Sequence, residues 1–252
     1  MKYLLLIGCW FIASISYAQT EDYKQPGKES LRYHDYRTKI TIPPYGLQKV
    51  NALIASIKTK QEDNEESGTE ALDNDKYNAL SLKEKFTYNM IHGEDFSQNC
   101  DALMPVEGEQ NKIFAHTPDG FFGENYWSER QLKFFKDNKD SVMALMTESV
   151  IRSKRIGCNY KLAIKELNAV EMIPFLISMS RTIQKDHDIL TVLMELMVKN
   201  KYEPFMKSIS YEKLYSESAD YSAYLNYNKE NEDLILKRAT DFLHEYRNKN
   251  SK

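Results

Sequence analysis

The segment from Phe114 to Trp127 (FAHTPDGFFGENYW) gathers the residue types with the widest chemical scope in this chain. Phe114, Phe121, Phe122, Tyr126 and Trp127 interleave there with His116, Asp119 and Glu124. Rings stack on the apolar faces of sugars and on partner side chains, and a few polar groups fix orientation, so the pattern fits a ligand or glycan platform. A long loop lying over a helical layer also needs large apolar anchors, and the same rings would serve that purpose. Trp127 separates the two readings. It stands just before Ser128, a helix N-cap, and from there it either staples onto Leu132 or projects beside Phe121, Phe122 and Tyr126. The expectation is a partly exposed cluster of Trp127, Tyr126, Phe121 and Phe122, with His116 and Asp119 as polar contacts at its rim. An exposed cluster of that size calls for an interaction.

Other groups offer less. His92-Gly93-Glu94-Asp95 places an imidazole and two carboxylates at a helix end, from which an acid–base pair can be drawn. A His in a last helical turn is also simply favourable against the helix dipole. His187 lies between Asp186 and Asp188, but consecutive residues do not face one another, and either acid suits the N-cap of the next helix. Asp63, Glu65, Ser67 and Gly68 follow the start of an EF-hand loop, yet Asn74 falls where that loop needs a bidentate Glu. A solvated acidic loop is the reading kept. No HExxH, no histidine pair at i,i+4, no CxxC, no GxSxG and no phosphate or dinucleotide glycine motif occurs. No catalytic residue, no metal and no cofactor is therefore assigned.

Positioning these groups falls to helices. The 252 residues hold only 9 Gly, 7 Pro and 7 Val, too few turn formers and β-branched residues for a sheet-rich fold. The net charge of −3 gives no support to nucleic-acid binding, which needs a basic surface. Residues 1–18 read as a secretory signal peptide: Lys2, a short apolar run, then Ser16-Tyr17-Ala18 before Gln19. Leu6-Ile7-Gly8-Cys9 also resembles a lipobox, which would make Cys9 a lipidated terminus; cleavage after Ala18 is the reading kept. No other stretch approaches the ~20 apolar residues of a transmembrane helix. Periplasmic or secreted placement follows, and with it an oxidising compartment. There Cys100 and Cys158 are expected to form a disulfide, with two buried thiols as the alternative.

Residues 19–45 form a polar arm without clear period, in which Ile40-Thr41-Ile42 before Pro43 is one short extended piece. One helical domain follows over residues 46–252. Its apolar spacing predicts helices near 46–60, 128–135, 142–150, 162–167, 170–183, 188–198 and 234–246. Capping boxes at Ser81 (SLKE) and Ser128 (SERQ) open two of its helices, the first of them ending near Gly93. Residues 61–76 are an acidic linker, and residues 93–127, with Pro105, Gly108, Pro118, Gly120 and Gly123, are a long irregular loop region.

Ala169 to Leu176 (AVEMIPFL) and the apolar-faced pair over 170–199 are similar to a HEAT-type helical hairpin, a resemblance of about thirty residues at the level of fold. It implies layered or solenoid-like helical hairpins and carries no activity with it. The class expected is all-α. The function expected is that of an exported, non-catalytic macromolecule-binding or scaffold protein with a protein or glycan partner. The alternative is an envelope hydrolase acting on glycans through paired carboxylates such as Glu94 with Asp95, or Asp119 with Glu124.

Overall fold

Ser81 and Ser128 each open a helix in the way their neighbours dictate. The Ser81 hydroxyl accepts from the Glu84 backbone while the Glu84 carboxylate accepts from the Ser81 backbone. Gln131 closes the same reciprocal cap at Ser128. A computed structural model describes residues 25–57, 71–96, 103–119 and 123–250. The leader with Cys9, the acidic run from Asp63 to Gly68, Cys100, Phe121 and Phe122 lie outside the described residues.

The described chain is mainly helical, in agreement with the composition. Its helices are α1 (Lys28–Thr38), α2 (Leu47–Ala55), α3 (Asn74–Asn78), α4 (Leu82–Ile91), α5 (Glu129–Asp137) and α6 (Lys139–Ser153) in the first part. There follow α7 (Cys158–Glu166), α8 (Ile173–Thr182), α9 (Asp188–Lys199), α10 (Glu203–Met206), α11 (Ile209–Tyr215) and α12 (Lys229–Asn250). Helix α9 is the centre. Every residue from Asp188 to Met197 is buried, because the run DILTVLMELM has almost no polar face to turn to water. It packs on α7, α8, α10 and α12, and α12 also crosses α8. Helices α8 and α9 thus pack on each other through their apolar faces. A smaller core of Val50, Leu72, Tyr77, Leu80 and Tyr88 joins α2 to α4.

Two departures from the sequence reading bear on function. Described parts of the region 93–127 pair as strands. β1 (Asp95–Phe96) pairs antiparallel with β3 (Asn125–Tyr126), and β2 (Lys112–Phe114) pairs with β4 (Tyr224–Asn226). The polar arm is also more than an arm: residues 28–38 are helix α1, which buries Ser30, Tyr33 and Arg37 along one side. Those positions keep helical spacing with polar residues, so no apolar period marks the helix. The piece after it, residues 39–43, makes no strand and docks on the start of α7. Thr41 N donates to Asn159 Oδ1 (2.9 Å) and Gly157 N donates to Thr41 Oγ1 (2.8 Å). A Cβ at Gly157 would lie 2.1 Å from Thr41 N, so only glycine allows this approach.

Cys158 is described without its expected disulfide partner Cys100, which lies outside the described residues. Cys158 is a free, buried thiol whose Sγ donates to the Thr38 carbonyl (2.8 Å), and no disulfide pair is found among the described residues. Burial pushes this thiol up to about 12, which keeps it protonated and unreactive.

The reading of Trp127 is corrected. It is 2% exposed, meets Phe135 edge to face at 4.9 Å and donates its Nε1–H to the Asn89 carbonyl. The Trp at N′ is thus turned inward as a core anchor, because the indole finds both an aromatic wall and an acceptor there. Trp127→Phe should keep most of the packing and lose the donor, at a cost of about 2 kcal/mol in urea unfolding. A loss below about 0.5 kcal/mol would show that the Asn89 bond contributes little.

Candidate functional site

The pairing of β2 with β4 decides what lies beside His116. In register, Lys112 faces Asn226, Ile113 faces Leu225 and Phe114 faces Tyr224, and Ala115 N extends the ladder to Ala223 O (2.9 Å). Residues leaving β2 and residues entering β4 must then run side by side. His116 and Tyr221 accordingly meet as stacked rings, 5.0 Å between centroids and 12° between planes. Tyr215 closes the other side of the imidazole edge-on at 5.5 Å, held there by its hydroxyl donating to the Ala115 carbonyl (2.7 Å).

These residues border a cavity of about 430 Å³, within the size range of small-ligand pockets. Three segments, one helix and one 3-10 turn build it. The stretch 103–106 supplies Leu103, Met104 and Val106; the stretch 114–119 supplies Phe114, His116, Pro118 and Asp119; the turn before β4 supplies Asp220 and Tyr221. Arg37 from α1 and Glu109 from the 3-10 turn Glu109–Asn111 form its inner end. Leu103, Met104 and Tyr221 are 38%, 59% and 58% exposed, large apolar side chains kept in water at one place.

The inner end is tied down by buried charge. Arg37 donates from Nε (3.2 Å) and Nη2 (2.8 Å) to the two oxygens of Asp188, and from Nη1 to Glu109 (2.9 Å). Its guanidinium lies 4.0 Å from the Phe114 ring centroid. His34 Nδ1 reaches Glu109 Oε2 at 3.1 Å. Behind it, Lys161 bonds Asp186 (2.5 Å) and stands 3.5 Å from Asp188. Burial opposes ionisation of Asp188, but Arg37 and Lys161 outweigh it and hold that carboxyl below its ordinary value. Asp186 is raised instead, by burial foremost. Neither acid caps α9 with its side chain, contrary to the sequence reading; both are spent on cations from α1 and α7. Beside His116, Glu195 of α9 accepts from Thr117 Oγ1 (3.0 Å) and Lys165 Nζ (3.1 Å), with His116 Nδ1 3.6 Å away.

Of the residues expected to act together, His116 and Asp119 line the cavity. Trp127 is in the core, and Tyr126 is half-buried with its hydroxyl donating to Glu166 (3.3 Å). Phe121 and Phe122 lie outside the described residues. Arg37, Glu109, Met104 and Tyr221 were not foreseen, since nothing local announces a register between residues 112–114 and 224–226.

The carboxylate pair at the end of α4 has another use. Glu94 is fully buried and accepts from Tyr88 Oη (2.7 Å), Ser128 Oγ (2.5 Å) and Arg130 Nε (2.8 Å). Arg130 also holds the Leu72 carbonyl and Asn74, and its guanidinium lies over Tyr77. Glu94 is thus a clamp between α4, α5 and the segment before α3, shut off from any substrate. Among the described residues no group of three metal-ligating side chains comes together, and no helix is long and apolar enough to cross a membrane. No family model matches the chain, and no characterised protein or solved structure is significantly similar to it.

Proposed function

We propose that this chain is an exported, non-catalytic binding protein, built as layered helical hairpins, that grips a protein partner at the cavity beside His116. One observation carries the reading: Leu103, Met104 and Tyr221, three exposed large apolar residues, border a single cavity of about 430 Å³. Apolar side chains gathered at a concave site, with a few polar groups at the rim, are the usual composition of a binding pocket. Rigidity supports it too, because the inner end is braced by the Arg37–Asp188–Glu109 ion network and the His116 ring is fixed from two sides. Export rests on the leader-like pattern of residues 1–18. The glycan-hydrolase alternative loses one of its two carboxylate pairs, because Glu94 is consumed by Tyr88, Ser128 and Arg130.

Random-peptide display on the purified protein tests the reading, with Tyr221→Ala as the control surface. Tyr221 is largely exposed but stacks on His116, so the variant should lose about 0.5–1.5 kcal/mol of stability and stay folded. Selected peptides are expected to lose at least about tenfold in affinity on Tyr221→Ala. Peptides that bind the variant as well as the parent, or a selection that enriches nothing, would overturn the proposal.

A further inference from the structure

We infer that the group anchored in this cavity is a basic side chain, lysine or arginine, of the protein partner; the inference rests on the binding role proposed above. The charges argue for it. Arg37, the cation among the lining residues, is spoken for: its fork grips Asp188, its Nη1 bonds Glu109 and its Nη2 also reaches the His116 carbonyl. Arg37 and Lys161 together face three carboxylates, Glu109, Asp186 and Asp188, so the buried network offers no surplus positive charge. An anionic ligand would find no open cation at the inner end.

At the mouth the balance is negative. Asp119 and Asp220 are both exposed and both line the cavity. Asp220 uses its Oδ1 to hold the local turn, accepting from Ser222 N (2.7 Å) and Ser222 Oγ (2.6 Å), which fixes the carboxylate at the opening. Between mouth and inner end the wall is Leu103, Met104, Val106 and Pro118. Lysine and arginine match this sequence of environments. Their methylene stems cover apolar surface while the charged head stays near water and near carboxylates. A purely apolar anchor would leave the two acids unused, and a purely polar cation would leave the wall wet.

The experiment compares peptides selected on three proteins: the parent, Tyr221→Ala, and the double variant Asp119→Asn/Asp220→Asn, which keeps shape and removes the mouth charge. Peptides dependent on Tyr221 are expected to carry an excess of Lys or Arg. They should bind the double variant about tenfold more weakly and lose their sensitivity to salt there. Should Tyr221-dependent peptides show no basic excess, or bind the double variant unchanged, the inference falls while the cavity reading stands. If no peptide depends on Tyr221, both fall. Circular dichroism of the double variant must match the parent, since neither substitution touches a buried group.

Discussion

Arg37→Met is expected to destabilise the protein by about 3–5 kcal/mol, the range for removing one partner from a buried ion cluster. The side chain is 2% exposed and holds Glu109 and Asp188, each 1% exposed. Methionine keeps much of the stem but leaves two carboxylates with reduced compensation: Glu109 retains His34 and Asp188 retains Lys161 at 3.5 Å. For a domain of this size the loss corresponds to a fall in Tm of about 10 °C. Arg37→Lys should be intermediate, because it restores charge without the two-pronged geometry. Urea unfolding of all three proteins reads the result, and an Arg37→Met loss under about 1 kcal/mol would mean that the network is as weak as a surface ion pair.

Acid should also weaken the fold through His187, by about 3 kcal/mol between pH 6.5 and pH 4. Burial pushes this imidazole down from 6.5 to about 4; its bond to the Lys112 carbonyl and the nearby Asp188 oppose the shift without reversing it, and Lys161 and Arg37 add to it. The geometry agrees. The ring stacks on Tyr227 at 3.6 Å, lies 5.4 Å from Tyr33, and its Nδ1 has no hydrogen-bond partner. A second ring proton would sit in a buried place without an acceptor. Since the folded value lies below the unfolded one, the stabilisation is complete above pH 6.5 and is lost as pH falls toward 4. Asp188, also depressed, adds a loss at lower pH, whereas Asp186, raised, stabilises the fold in acid and offsets part of it. The contrast with His187→Gln isolates the histidine: its stability curve should fall less steeply through this window. Parallel curves for parent and variant would remove His187 from the account.

The sequence reveals elements whose causes are local. Both capping boxes are complete within four residues, so α4 and α5 begin where Ser81 and Ser128 say. The apolar run of α9 and the Pro174 in the first turn of α8 are equally self-contained. His116 and Asp119 were found because polar residues among rings stand out. What escaped depends on distant partners. Asp186 and Asp188 look like capping acids until α1 and α7 bring Arg37 and Lys161 to them. Helix α1 carries no apolar stripe, since Arg37 and Tyr33 bury themselves through ion pairs and ring contacts. Trp127 was legible as an anchor or a platform, and the Asn89 carbonyl, far off in sequence, settles it as an anchor.

The ladder of β2 and β4 has a consequence for how the chain becomes competent. It joins Ile113 to Leu225, and the backbone bonds Ala115 N to Ala223 O and Tyr227 N to Asn111 O extend it at both ends. Closing so long a loop is slow and entropically costly relative to forming a hairpin. On a chain growing from its N-terminus, helices α4 to α9 can fold while the second wall of the cavity is still unmade. The site arises only after residue 226 is available, late in the order of events. Anything bound across His116 and Tyr221 would in turn favour the closed ladder by mass action, so occupancy and completion of the fold are thermodynamically linked.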